Sequence, residues 1–137
     1  MADLGKTMLV SASGMRAQGQ RMRTIAENLA NANSTPTAPG EEPYRRKVPT
    51  FQNVLDRANG VELVKVRRTV PDMSEFQKRY DPGHPGADGD GYVRMPNVTS
   101  LVELMDLREA QRSYEANASV IEAARKMLTR TIEILQG

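Results

Sequence analysis

Long helical patterns at both ends of the chain constrain its fold more than any other feature. The first pattern runs from residue 4 to about Asn31. Within it, one set of residues recurs with alternating steps of four and three, which is the spacing of a single seam on an α-helix. The members of this seam are Leu4, Met8, Ser11, Met15, Gln18, Met22, Ile25 and Leu29. We therefore predict a long N-terminal helix that packs through this seam.

The first helix is predicted to end in residues 31–40, which are rich in Asn, Pro and Gly. Asn can adopt the left-handed conformation that closes a helix, and Pro cannot continue one. Asn28, Asn31 and Asn33 crowd this helix end. Their amides either cap the helix or fix a packed contact, because a buried amide without a partner costs about 1–3 kcal/mol.

A second helix is predicted to follow Pro96, with Thr99 or Ser100 as its N-cap and Glu103 placed to close a capping box. Its main seam contains Leu101, Leu104, Arg108, Gln111, Tyr114, Ala118, Ile121, Arg125, Leu128, Ile132 and Leu135. A second seam, displaced by about one residue, contains Val120, Ala124, Met127 and Ile134. This helix is therefore apolar on more than one side.

Two apolar seams on one helix require two covering surfaces. The N-terminal helix can cover one seam. The other seam is covered either by the middle segment, in a compact bundle, or by another protein chain. Gly5, Gly14 and Gly19 weaken the N-terminal helix by about 1 kcal/mol each relative to Ala, so we expect this helix to need packing partners.

The segment between the helices has a different character. Turn signals occur at Asn59-Gly60, at Pro71-Asp72 and throughout residues 81–86. Val64, Val66 and Val70 share one face of a predicted strand, and Phe76, Lys78 and Tyr80 share a face of another. We therefore predict a small β element in a loop-rich segment.

The composition argues against catalysis and against metal or cofactor binding. Without cysteine, the chain can form neither disulfides nor thiolate metal sites, and His84 is its only histidine. A multi-histidine metal site is therefore impossible within one chain. Asp88-Gly89-Asp90-Gly91 departs from the pattern of a calcium loop, because the expected first carboxylate and the later Glu are missing, so we interpret it as a turn-rich loop. We expect no catalytic residue, no metal and no cofactor.

We expect neither a nucleic-acid partner nor a small-molecule substrate. The net charge is only +2, and the basic groups at residues 45–47 and 67–68 lack interleaved aromatic residues. We interpret both basic groups as solvated or subunit-facing surface. The N-terminal residues lack the apolar run of a secretory signal, and no run reaches membrane-spanning length.

Seven short motifs lie along the chain: residues 11–15, 25–33, 43–47, 80–85, 91–93, 96–98 and 112–117. The first two together are similar to the signature that rod and hook proteins of the bacterial flagellum share, and the other five are similar to short proximal-rod members of the bacterial flagellar basal-body rod protein family. The motif residues that we single out are Asn28, Asn31, Asn33, Tyr44, Asp81, Pro82, Gly83, His84, Pro85, Arg112, Ser113, Tyr114 and Asn117.

This resemblance implies a mainly α fold. The terminal helices, residues 1–33 and 99–137, would form an antiparallel axial coiled coil or bundle, and residues 34–98 a small loop-rich middle segment with short β elements. The implied assembly residues are Leu4, Met8, Met15, Met22, Ile25, Leu29, Leu101, Leu104, Tyr114, Ile121, Leu128, Ile132 and Leu135.

The resemblance also implies a structural role in the rod that crosses the periplasm and transmits torque. The implied partners are copies of the chain, other rod subunits, basal-body components at the rod base and, during export without a cleaved signal, the flagellar export apparatus. Two other hypotheses are a soluble helical adaptor that dimerises through the Leu4 to Leu29 seam and a small hydrolase or calcium module around His84 and Asp88.

Overall fold

The computed structural model describes residues 2–137, and it places one long helix at each end of the chain. Met1, the first residue of the predicted 1–33 segment, lies outside the described residues. The elements in chain order are α1 (Ala2–Ala30), β1 (Lys47–Asp56), β2 (Val61–Pro71), β3 (Gln77–Tyr80), β4 (Tyr92–Met95) and α2 (Ser100–Gln136). Both predicted helices are confirmed, with ends within one or two residues of the expected positions.

The middle segment contains more regular structure than the sequence indicated. Helix accounts for 48% of the residues and strand for 21%, so the prediction of a mainly α fold is confirmed only in part. β1 and β2 have 10 and 11 residues, against a mean strand length of about 5–6. The predicted valine strand lies within β2, and β3 contains Lys78 and Tyr80 but begins after Phe76.

The four strands form two separate two-stranded sheets. β1 pairs with β2, and the four residues between them form a hairpin turn, a connection too short for parallel strands. β3 pairs with β4 in antiparallel register, with Tyr80 opposite Tyr92. In β4, Val93 and Met95 are buried, whereas Tyr92 on the other face is exposed.

The chain divides into two compact units. The first consists of Met1–Met22, Thr50–Arg68 and Arg108–Gly137. Its described buried side chains are small: Ser11, Ser13, Ala17, Ala110 and Ala124. Because small side chains let helix backbones approach closely, this unit is built on close packing rather than on large apolar side chains.

Contacts between α1 and α2 in the first unit follow opposite chain directions. Gly14 lies against Asn117, and a Cβ atom on Gly14 would sit 2.8 Å from the Asn117 Nδ2 atom. Further along α1, Arg21 forms an ion pair with Glu109 at 3.4 Å. As the residue number rises on α1 it falls on α2, so the helices are antiparallel in this unit.

Ser13 joins the hairpin to α1 in the first unit. Its hydroxyl donates to the carbonyl oxygen of Val10 at 2.7 Å and accepts the backbone N–H of Val64 at 3.2 Å. Ser13 is 5% exposed, so both hydrogen bonds are shielded from water.

The second unit consists of Arg23–Pro49 and Thr69–Leu107. Its buried apolar residues are Ile25, Val93, Met95 and Val98, and its buried polar residues are Asn28, Asn97 and Glu103. The core of this unit is therefore formed by the end of α1, the β3–β4 sheet and the start of α2, with polar groups inside it.

The buried face of α2 overlaps the predicted seams only in part. The following residues of those seams are exposed: Leu101, Leu104, Tyr114, Val120, Met127, Ile132, Ile134 and Leu135. Ile121 and Leu128 are half-buried, and Ala124 is buried. The buried face instead contains Glu103 and Ala110 together with Ala124. Apolar periodicity found the large side chains of α2, but small and polar residues form most of its packed face.

Candidate functional site

A network of polar side chains joins the end of α1, the base of the hairpin and the start of α2 in the second unit. We call this network the polar junction; its members are Asn28, Tyr44, Arg46, Asp72, Asn97 and Glu103. No buried side-chain nitrogen or oxygen atom in the described part of the chain lacks a hydrogen-bond partner. The junction is therefore fully paired, as buried polar groups must be if they are not to destabilise the fold.

Asn28 is the centre of the polar junction and is 1% exposed. Its Nδ2 atom donates to the Lys47 carbonyl oxygen at 2.9 Å and to the Glu103 carboxylate at 3.3 Å. Its Oδ1 atom accepts the Tyr44 hydroxyl at 2.7 Å and the Lys47 N–H at 3.0 Å. All four hydrogen-bonding positions of the amide are used. Of the two interpretations of Asn28, the packed contact is confirmed.

The other two asparagines at this helix end differ from Asn28. The Asn31 Nδ2 atom donates to the Glu27 carbonyl oxygen at 2.9 Å, so Asn31 helps to close its own helix. Asn33 is exposed in the turn that follows. One of the three asparagines therefore fixes tertiary structure.

Arg46 binds three carboxylates. Its Nε atom donates to Glu103, its Nη1 atom to Asp72 at 3.3 Å and its Nη2 atom to Asp106 at 3.3 Å. Burial opposes the charge of Arg46, but Glu103 and Asp72 outweigh this effect and raise its pKa. The prediction that residues 45–47 form a solvated or subunit-facing surface was wrong for Arg46, because a fully buried Glu103 needs a cation beside it.

The Glu103 carboxylate forms this ion pair with Arg46 rather than the predicted capping box. α2 begins at Ser100, and the Glu103 N–H donates to the Thr99 carbonyl oxygen at 3.0 Å, as expected when Thr99 precedes the first turn. The Glu103 carboxylate, however, binds Arg46 and Asn28. Local sequence placed Glu103 correctly in the first turn, but its partners lie far away in the chain.

Asn97 and Asp72 complete the polar junction beside the hairpin base. The Asn97 Oδ1 atom accepts the Arg46 N–H at 2.7 Å, and its Nδ2 atom donates to the Asp72 carbonyl oxygen at 2.9 Å. The Asp72 carboxylate accepts the Ser74 N–H at 2.9 Å, and this bond, together with Arg46, lowers the pKa of Asp72. Tyr44 is affected in the opposite sense: burial and the charges of Glu27 and Glu103 raise its pKa to about 12.

The loop around His84 contains hydrogen bonds but no cluster of metal ligands. The His84 Nε2 atom lies 3.0 Å from the Thr35 hydroxyl, and its Nδ1 atom accepts the Gly86 N–H at 2.9 Å. The Asp88 carboxylate accepts N–H groups of Asp90 and Tyr92 at 2.9 and 3.0 Å, and the Tyr92 bond contributes most to its lowered pKa. No group of three or more potential metal ligands occurs among residues 2–137.

Other residues of the motif set serve local structure. The Asp81 N–H donates to the Gly91 carbonyl oxygen at 2.9 Å, which closes the loop that contains Pro82, Gly83, His84 and Pro85. On α2, the Asn117 Nδ2 atom donates to the Ser113 carbonyl oxygen at 2.9 Å, whereas Arg112 and Tyr114 are exposed. The structure therefore does not bring the motif residues together at one point.

Exposed apolar side chains concentrate on α2 in each unit. In the second unit, Leu101, Val102, Leu104 and Met105 form what we call the early face, with exposed fractions of 68, 45, 53 and 64%. In the first unit, Val120, Met127, Ile132, Ile134 and Leu135 form the late face, whose last two residues are 78 and 77% exposed. Contiguous exposed apolar patches are a general feature of surfaces that bind other proteins, membranes or ligands. No helix in the part of the chain that the structure describes has the length and hydropathy of a membrane span.

The predicted seam on α1 is more sheltered than the apolar surface of α2. Ile25 is buried, and the following members are half-buried: Leu4, Met8, Met15, Met22 and Leu29. This seam therefore contributes partly to packing within the chain and retains partial exposure.

The polar junction was largely missed by sequence reasoning. Asn28 and Tyr44 were selected, but Arg46, Asp72, Asn97 and Glu103 were not selected as site residues. A charged residue on a helix and an arginine in a basic cluster have the same local appearance whether they are exposed or paired inside. Among these four residues, Asn97 was the one that the sequence could have indicated, because it is a polar residue between Pro96 and Val98 just before a helix.

Comparison with known proteins assigns the chain to a family. A family model described as "Flagella basal body rod protein" matches residues 8–38, and one described as "Flagellar basal body rod FlgEFG protein C-terminal" matches residues 90–134. The two matches include most of α1 and nearly all of α2.

Curated relatives extend this similarity over the whole chain. A flagellar basal-body rod protein FlgC from Agrobacterium fabrum is 46% identical over 137 residues, covering 100% of this chain and 99% of the relative. The FlgC proteins of Aquifex aeolicus and Bacillus subtilis are 38 and 39% identical, covering 97 and 91% of this chain and 98 and 93% of those proteins. The chain therefore belongs to the FlgC family of flagellar basal-body rod proteins.

Proposed function

We propose that the chain is a structural subunit of the bacterial flagellar basal-body rod, in its proximal part, and that it assembles through its two terminal helices. The family supports a structural role and not an enzymatic one. The observation that carries the proposal is the early face of α2, where four consecutive or nearly consecutive apolar side chains remain 45–68% exposed. Neighbouring subunits would remove this surface from water.

In this proposal the terminal helices form an antiparallel axial coiled coil or bundle with copies of the chain and other rod subunits. The contacts of Gly14 with Asn117 and of Arg21 with Glu109 support the antiparallel arrangement. The half-buried seam from Leu4 to Leu29 and the exposed residues of α2 would supply the contacts between subunits. Interlocked helices would then transmit torque without any bond being made or broken.

The middle segment, residues 34–98, would lie outside this axial part. Its hairpin also exposes apolar side chains, with Phe51 42% and Leu55 57% exposed. In this position the middle segment would contact basal-body components at the rod base. The rod would span the periplasm, and the chain would reach it through the flagellar export apparatus.

Substitution of Leu104 by Lys tests the proposal. Leu104 is 53% exposed, so a lysine there leaves the fold intact but places a charge in the expected subunit contact. We expect loss of rod assembly and of swimming in a strain that carries only this variant. Circular dichroism and thermal unfolding of the purified variant should match those of the parent chain.

Leu104→Met is the matched control, because it keeps an apolar side chain of similar volume and should retain motility. Normal rods and normal swimming with Leu104→Lys would show that the early face is not a subunit contact. A discrete dimer that never enters rods would instead support the adaptor hypothesis.

A further inference from the structure

The hairpin turn between β1 and β2 contains an Asn-Gly pair on the surface of the first unit. Asn59 and Gly60 are both exposed, and Gly60 has a φ of 65°, a left-handed conformation that glycine adopts without strain. This pair therefore suits the turn conformation. It also has a chemical liability, because a glycine places no side chain next to its backbone nitrogen.

Asn followed by Gly can deamidate through a cyclic imide. The backbone nitrogen of Gly60 attacks Cγ of Asn59, a new N–Cγ bond forms, and the Cγ–Nδ2 bond breaks. The Gly60 amide proton leaves with the nitrogen of Nδ2 as part of ammonia. Water then opens the imide at either carbonyl group to give aspartate or isoaspartate. Water is the only reactant that the chain does not supply.

Asp56 holds the reacting groups of this turn. Its Oδ2 atom accepts the Asn59 Nδ2 group at 2.8 Å, and its Oδ1 atom accepts the N–H groups of Ala58 at 3.1 Å and Asn59 at 3.4 Å. The Gly60 N–H donates to the carbonyl oxygen of the same Asp56 at 2.8 Å. Attack on Cγ requires the Asn59 side chain to rotate and the Gly60 nitrogen to leave this carbonyl.

We propose that Asn59 is a site of spontaneous deamidation and that the hydrogen bonds of Asp56 to Asn59 and Gly60 set the rate of this reaction in the folded chain. Both partners of the cyclisation are bound to the same residue, so the reaction requires the turn to open. The lowered pKa of Asp56, due mainly to its bond with Asn59, is in keeping with a carboxylate that engages these donors. The product carries a new carboxylate beside Asp56 and lacks the Nδ2 donor. Deamidation therefore weakens the turn that contains it.

Peptide mapping of the full chain measures the reaction directly. Trypsin cleavage after Arg57 and Lys65 gives a peptide of residues 58–65 in which Asn59 is the only asparagine. The native chain and the chain in concentrated urea are incubated at the same mildly alkaline pH, and aspartate and isoaspartate in this peptide are counted over time. We expect several-fold faster deamidation in urea. Equal rates in the two conditions would overturn the proposal.

Asp56→Ala and Asp56→Asn assign the protection to the carboxylate. In native buffer, Asp56→Ala should deamidate at Asn59 several-fold faster than the parent chain, and Asp56→Asn should lie between them because its amide oxygen still accepts a hydrogen bond. Asn53, followed by Val54 in β1, is the internal reference and should stay intact in every sample. Unchanged rates at Asn59 in both variants would overturn the role of Asp56.

Discussion

At the scale of residues, the stability of the second unit depends on the few paired side chains of the polar junction. Asn28 uses all its hydrogen-bonding positions, and Arg46 provides the positive charge that the fully buried Glu103 carboxylate requires. Removing one partner of such a pair lowers the stability of the fold, because the remaining group stays buried without a hydrogen-bond partner.

Asn28→Ala should be strongly destabilising. It leaves the Tyr44 hydroxyl, the Lys47 backbone groups and part of the Glu103 carboxylate without their partner, and each unsatisfied buried group costs about 1–3 kcal/mol. We expect the free energy of unfolding in urea to fall by about 3 kcal/mol or more. Asn31→Ala, which removes one bond near the surface, should cost about 1 kcal/mol or less. Equal losses would contradict the central role of Asn28.

The raised pKa of Tyr44 predicts that the free energy of unfolding falls at high pH. Its pKa is raised from 10.0 to about 12, so the folded chain holds this proton more tightly than the unfolded chain does. The resulting stabilisation is complete below pH 10 and is lost as the pH rises from about 10 to about 12. In Tyr44→Phe the free energy of unfolding should therefore depend less on pH in this range. Near-ultraviolet phenolate absorbance should show that the variant lacks a tyrosine that ionises near pH 12. An unchanged titration curve would contradict the assignment.

At the scale of elements, small residues determine how α1 and α2 pack in the first unit. Ala110 is fully buried and Ala124 is 3% exposed, whereas the large residues of the predicted α2 seams mostly face outward. Gly14 permits a close approach, because its missing Cβ leaves room for the Asn117 side chain. A seam of this kind is inconspicuous in sequence, since Ala, Ser and Gly carry little apolar signal.

Gly14 and Gly19 should respond differently to substitution by Ala. Nothing lies within 4 Å of a Cβ atom added to Gly19, so Gly19→Ala should gain the helix propensity of alanine, about 0.5–1 kcal/mol. In Gly14→Ala the Asn117 side chain must move and lose its bond to the Ser113 carbonyl oxygen, which cancels the gain. Urea denaturation measures both effects.

A double-mutant cycle isolates the contact. Gly14→Ala should recover its stabilisation in an Asn117→Ala background, where the obstructing amide is absent. If Gly14→Ala stabilised the parent chain as much as Gly19→Ala does, the close approach of Gly14 and Asn117 would not constrain the helices.

At the scale of the whole molecule, each unit has a modest core and leaves apolar surface of α2 uncovered. The first unit buries mainly serine and alanine, and the second buries a polar network beside Val93 and Met95. The early and late faces contain large apolar side chains that a monomeric helix bundle would bury in its core. This division would suit the proposed assembly, in which packing within the chain and packing between chains would use different residues of the same helix.

Sequence alone determined the two terminal helices, their ends and the strand character of the middle segment. These features depend on periodicity, on Asn and Pro near Asn31, and on turn residues close in the chain, all of which are local. Only the tertiary structure decided which face of α2 packs inside, because apolar spacing cannot distinguish burial within a chain from burial between chains. It also decided the polar junction, where Arg46 meets Glu103 across 57 residues of sequence. Charged side chains are paired by folding at such separations, and no local pattern records the pairing.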